Sequence, residues 1–126
     1  MAGASAPEDH RFPLTPEERE ERLAKNEAVF RTVNEVIDQQ ASKSGGLDEY
    51  EFVCECATGD CFERIALTRA EYESVRQHAT RFFVRPGHED LQVEFVIESY
   101  PTFVVVEKDG AAAEVALDTD PRAGQD

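Results

Sequence analysis

The stretch Tyr50–Leu67, YEFVCECATGDCFERIAL, decides both the fold of this chain and the place of its chemistry. Tyr50, Phe52, Cys54 and Cys56 alternate with Glu51, Val53 and Glu55, which is the two-residue period of a strand. Ala57–Asp60 (ATGD) reads as a turn. Phe62–Leu67 (FERIAL) returns as a second strand, so the segment predicts a hairpin. Side chains two apart in a strand share a face, so Cys54 and Cys56 aim together. The turn brings Cys61 back toward them. Three thiolates converging from a hairpin are soft ligands suited to Zn²⁺.

Upstream, residues 1–14 are rich in Ala, Pro, Gly and charge and predict a disordered tail. A helix starts sharply after it. Thr15 suits the N-cap, Pro16 the first helical position, and Glu18 completes a Thr-x-x-Glu capping box. The acids Glu17, Glu18, Glu20 and Glu21 favour the positive end of the helix dipole. Leu23, Phe30, Val33 and Ile37 form one apolar stripe, which predicts a helix running to about Ala41 with that stripe on the core. Ser42–Gly46 (SKSGG) ends it as a flexible joint.

Downstream, Thr68 and Glu71 form a second capping box, flanked by Leu67 and Tyr72 at the positions of a hydrophobic staple. A short helix over 69–78 follows. Arg81–Arg85 (RFFVR) is a third strand, broken by Pro86-Gly87, which presents His88. Asp90–Tyr100 fits either period. The adjacent Val96–Ile97 breaks strand alternation, which favours a helix. Thr102–Glu107 (TFVVVE) is a buried strand, and Ala111–Leu117 a brief helix. The expected fold is α+β: a long N-terminal helix on a small, mainly antiparallel sheet from residues 50–56, 62–67, 81–85 and 102–107, with a zinc-knuckle-like hairpin. One domain over 15–117 lies between the tail at 1–14 and a frayed tail at 118–126.

The chain has 126 residues, with 13 Lys+Arg against 27 Asp+Glu and a formal charge of −14. Such a surface repels nucleic-acid phosphates and anionic membranes. No apolar run approaches the roughly 18–20 residues of a membrane span, and the first residues lack the basic start and apolar stretch of a signal peptide. A cytoplasmic protein is expected. Six acids and one base fall within residues 48–64, so part of this acidity surrounds the cysteines.

Three cysteines, Cys54, Cys56 and Cys61, are an odd number that closes no disulfide framework. In a reducing compartment their clustering points to metal or redox chemistry, with plain burial as the bland alternative. A tetrahedral zinc needs a fourth ligand, and the sequence offers His10, His78 and His88. His10 lies in the tail and His78 ends a helix. His88 follows a rigid Pro-Gly turn and is the preferred ligand.

The string FVCEC-x4-C-x-ERIALT-x-x-EYESVR, with RFFVRPGHED and FVVVEK after it, resembles a family of small uncharacterised bacterial proteins of actinobacterial type. The resemblance runs from about Arg22 to Arg122. Its Cys-x-Cys-x4-Cys and Pro-Gly-His motifs fall on Cys54, Cys56, Cys61 and His88, which implies that the four act together and strengthens the reading of zinc. It supplies no activity. This chain departs from the family at His78-Ala79, where relatives tend to carry Asp-Pro, and its Phe95–Ser99 stretch is more apolar than theirs.

The favoured function is a zinc-stapled regulatory or protein-binding module with a protein partner and no nucleic-acid or membrane partner. One alternative is a zinc/thiol redox switch. Another is a zinc hydrolase with an open metal site, in which Glu89 would serve as base if His88 were not a ligand. An enzyme is the less favoured class. The zincin, deaminase, phosphate-loop, dinucleotide and G-x-S-x-G motifs are absent, and Glu55 and Glu63 read more simply as solvated charge than as an acid–base pair.

Overall fold

The computed structural model describes residues 15–44, 49–56 and 61–123. The expected tail at 1–14 with His10, the glycines of the SKSGG joint, the ATGD turn and residues 124–126 lie outside them, as does the side chain of Leu23. Eight elements follow in the order α1 (Pro16–Ser44), β1 (Tyr50–Val53), β2 (Arg64–Leu67), α2 (Arg69–Arg76), β3 (Arg81–Val84), β4 (Glu94–Ser99), β5 (Val104–Lys108) and α3 (Gly110–Asp118). The fold is α+β. Both capping boxes form. Thr15 N donates to Glu18 Oε1 (2.9 Å) and Glu18 N to Thr15 Oγ1 (3.1 Å). Thr68 and Glu71 repeat the exchange at the start of α2.

The strands make two antiparallel sheets rather than one: the hairpin β1–β2, and a three-stranded sheet in the order β3-β5-β4. The chain steps from one to the other just after β1, where Glu55 N donates to Phe83 O of β3 (3.0 Å). The helix expected within 90–100 is strand β4. The adjacent Val96–Ile97 does not end the strand because the register with β5 shifts between Val96 and Glu98, a bulge that absorbs one residue.

Alternation sorts β3 and β5 into two faces. Phe83 points to the hairpin and α2. Its ring meets Phe52 (6.2 Å) and Tyr72 (5.9 Å) edge-on, while Phe52 and Tyr72 stack at 4.6 Å. These fully buried aromatics, with Ile65, Leu67 and Val105, form the apolar centre of the molecule. Phe82 points the other way and lies under Arg31 of α1 (4.7 Å) and Lys108 (5.2 Å).

The core-facing side of α1 is therefore not the predicted apolar stripe. Val33 is exposed, together with Val29 and Val36, and Phe30 and Ile37 are only partly covered. Glu27, Arg31, Asn34, Glu35 and Asp38 are buried in their place. Each is matched to a partner elsewhere in the fold. Arg31 donates to Ala116 O (2.9 Å) and Ala79 O (2.6 Å). Asn34 brackets Val53, giving Nδ2 to its carbonyl (2.9 Å) and taking its amide (2.8 Å). Glu35 takes the Tyr72 hydroxyl (2.8 Å), and Asp38 takes Arg69 Nε (2.9 Å). Polar groups can be buried at modest net cost when each is paired, and this set fixes the register of α1 more tightly than interchangeable valines would.

Residues 119–123, expected to fray, are held by hydrogen bonds. Arg122 forks onto Glu35 (2.9 and 3.0 Å) and Glu73 (3.0 and 2.8 Å), which ties residues 119–123 to α1 and α2. The same forks hold the Glu73 carboxyl down at about 2.

At the far end of this interface the Lys108 ammonium contacts both Glu27 and Glu94, all three fully or nearly fully buried. The contact to Glu27 is an ion pair rather than an aligned hydrogen bond, since neither Glu27 oxygen meets hydrogen-bond geometry. Burial raises Glu27 to about 8 from its ordinary 4.5, with Glu94 adding to the rise and Lys108 opposing it. A protonated Glu27 leaves the trio electrically neutral. The folded chain then binds a proton at neutral pH that the unfolded chain has released. The stabilisation is complete below the unfolded value and is lost as pH rises through about 8. We expect urea stability to fall between pH 6 and pH 9 by up to about 1.4 kcal/mol per pH unit from this group. Glu27→Gln, which copies the neutral acid, should flatten that part of the slope. An unchanged slope in the variant would refute the assignment.

Candidate metal centre

Val53 ends β1, but the zigzag of the chain continues through the cysteines. Cys54 N donates to Glu63 O (3.0 Å), which keeps the segment beside the returning strand. Cys54 and Cys56 are 1% exposed, and the Glu55 between them is fully buried on the opposite side. There Arg76 Nη1 and Nη2 grip the Glu55 carboxylate (2.7 and 2.9 Å), and Asn34 Nδ2 adds a third hydrogen bond (2.8 Å). The expectation that Glu55 is a solvated hairpin charge is therefore corrected. A carboxylate can lie this deep because three donors on two helices converge on it.

His88 arrives from the turn after β3. His88 N donates to Arg85 O (2.9 Å), and Gly87 has φ +92°, the pattern of a type II turn with Pro86 at its second position. Glycine adopts that φ without strain. Gly87 N also donates to Glu89 Oε1 (2.8 Å), so Glu89 braces the loop that carries the imidazole.

The donor atoms of Cys54, Cys56, Cys61 and His88 all lie within 4.8 Å of one another. His88 Nδ1 is 3.7 Å from Cys54 Sγ and 3.5 Å from Cys61 Sγ. A tetrahedral zinc with bonds of about 2.3 Å to sulfur and about 2.0–2.1 Å to nitrogen has S···N edges of about 3.6 Å. The two measured edges bracket that value. The structure thus brings together the four residues singled out in the sequence and leaves His78 exposed at the end of α2.

Two features around the cluster were not visible in the sequence. Arg85 N points at Cys54 Sγ (3.3 Å), a donor that favours a thiolate there. Arg85 also pairs with Glu63 (3.8 Å), so the acid nearest Cys61 in the returning strand is offset by a cation. Without metal, Cys56 and burial push the Cys54 thiol well up, and burial raises Cys61 as well. Protonated thiols are poorly reactive, and they become ligands only when a cation displaces their protons into solvent.

The fold and the cluster define the class: an α+β chain whose three cysteines and one histidine can hold a metal ion. Comparison with protein-family models, with curated proteins and with solved structures found no match. Among the described residues no helix is long and apolar enough to cross a membrane.

Proposed function

We propose that this chain is a zinc-stapled protein-binding module, acting in a reducing compartment and related to the small actinobacterial-type proteins whose Cys-x-Cys-x4-Cys and Pro-Gly-His motifs it resembles. The observation that carries the reading is the S···N spacing of His88 to Cys54 and Cys61, 3.7 and 3.5 Å, close to the edges of a zinc tetrahedron, with Cys56 Sγ within 4.8 Å of all three. Zinc there joins the hairpin to the Pro-Gly-His loop, some thirty residues apart in sequence. Three cysteines and a histidine fill a tetrahedral shell, and a full shell is structural rather than hydrolytic. The binding role is supported by apolar surface that the fold leaves in solvent. Val29, Val33 and Val36 lie along one side of α1, and Phe62, next to Cys61, is 77% exposed.

Elemental analysis of protein purified under reducing conditions tests the metal. About one zinc per chain is expected, and metal-free protein would sink the proposal. Because each of the three thiols must release its proton to bind, affinity should weaken by up to about a thousandfold per pH unit as the solution is acidified. Zinc release followed with a colorimetric chelator between pH 8 and pH 5 measures that slope, and a flat profile would exclude these thiols as ligands. The partial exposure of Cys61 is what favours the redox-switch reading. Mild peroxide separates the two, because a switch ejects zinc on oxidation and a staple shielded by two buried cysteines keeps it.

A further inference from the structure

A second site lies away from the cysteines, between α2 and the β4–β5 side of the sheet. A cavity of about 220 Å³ opens there, lined by Glu71, Val75, Glu98, Tyr100, Phe103 and Val105 among others. Its floor is apolar, since Val75, Phe103 and Val105 are buried. Tyr100 and Phe103 stack beside it at 4.7 Å and 26° between ring planes, and Tyr100 keeps 44% of its surface in solvent. The rim carries two carboxylates, Glu71 and Glu98, and none of the residues lining the cavity is basic. Glu98 Oε1 takes the Tyr100 hydroxyl (2.9 Å), which holds the carboxylate and the ring in one arrangement. A carboxylate has further lone pairs to offer a second donor.

We propose that this cavity receives the guanidinium of an arginine side chain on a partner protein. Each part of the cavity answers a part of that group. The planar, weakly hydrated cation stacks on the open ring of Tyr100, which Phe103 backs. Its forked N–H groups match a carboxylate. The side chain lies across the cavity, its three-carbon stem over the apolar floor and its head at the rim carboxylate. The volume suits one long side chain rather than a cofactor, for which sites run to about 300–1,000 Å³. A lysine ammonium fits less well, because it is a compact, strongly hydrated point charge with no plane to stack. The proposal deepens the protein-binding reading by giving the partner's chemistry, and it rests on that reading. The cavity itself uses none of the metal-cluster residues.

The test is an amide and aromatic NMR titration of the full chain, with zinc content measured on the same sample. The probes are N-acetyl-arginine amide, with N-acetyl-lysine amide and N-acetyl-norleucine amide as comparisons. Saturable shifts confined to Ser74, Glu98, Tyr100 and Phe103 are expected with the arginine compound, at least several-fold tighter than with lysine and absent with norleucine. Glu98→Gln, on an exposed strand end, should weaken binding several-fold while leaving the melting temperature unchanged. Tyr100→Ala should weaken it further. Equal binding of arginine and lysine, shifts spread over the acidic surface, or an unaltered response in Glu98→Gln would each overturn the proposal. Zinc present with no arginine response rejects the cavity alone. An arginine response in zinc-free protein rejects the staple alone.

Discussion

Replacing Cys54 by serine is expected to strip zinc from the chain and to remove its cooperative thermal transition. The expectation follows from where the ligand sits. Cys54 and Cys56 are 1% exposed and belong to the same cluster as Phe52, Phe83 and Val84, so a metal held there would be bonded into the main core rather than hung on its surface. Structural zinc contributes about 10–16 kcal/mol of apparent binding free energy in small domains. A domain of this size is stable by only about 5–15 kcal/mol in total, so losing the metal removes an amount comparable to the whole. Serine adds a buried hydroxyl where a sulfur stood, which costs more. His88→Ala should be milder, because three thiolates and a water still make a weak site. Differential scanning calorimetry of both variants, beside wild-type protein treated with a chelator, separates the contributions. Chelated wild type that keeps its full melting temperature would show that the cluster is no staple.

How much of this was legible in the sequence depended on whether a residue's partner lay nearby in the chain. Local signals read true. The Thr15–Glu18 and Thr68–Glu71 caps, the hairpin and the Pro86-Gly87 turn are each written within a few residues of where they act. The four converging donors were legible too, because strand alternation puts Cys54 and Cys56 on one face and the β1–β2 pairing returns the chain beside them at Cys61. Two misreadings share one cause. Hydropathy alone puts the valine side of α1 on the core, although Glu27, Arg31, Asn34 and Asp38 repeat with the same helical spacing as the valines. Their partners, Lys108, Ala116, Val53 and Arg69, lie 19 to 85 residues away or arrive on other elements, and nothing local names them. In β4 the apolar doublet Val96–Ile97 broke the period that a strand should show, and only the register with β5 reveals a bulge.

The buried Glu55–Arg76 pair shows what such distant matching does for the metal site, and the second large effect is expected there. Glu55→Gln should destabilise the chain by about 3–5 kcal/mol, because it leaves the Arg76 guanidinium, 3% exposed, without a countercharge. Burial works against the Arg76 charge, but Glu55 outweighs it and keeps the arginine protonated. For a domain of this length the loss corresponds to a fall in melting temperature on the order of 10–20 °C. Glu55→Leu combined with Arg76→Met should recover much of it, since removing both charges leaves neither stranded. Recovery should be incomplete, because Asn34 Nδ2 (2.8 Å) and Phe83 N (3.3 Å) also lose an acceptor. The pair has a further consequence through its place in the chain. Glu55 stands between two of the proposed zinc ligands, and its anchorage to α1, α2 and β3 fixes the stretch of backbone that carries Cys54 and Cys56. Glu55→Gln should therefore also weaken zinc affinity, and the Leu/Met pair should restore stability more fully than affinity, because a leucine is held only by packing. Competition with a zinc chelator, run beside the melts, reads both. If stability falls while affinity is untouched, the carboxylate serves the core alone. If the two fall together, the acid that looked like surface charge is the hinge pin of the metal site.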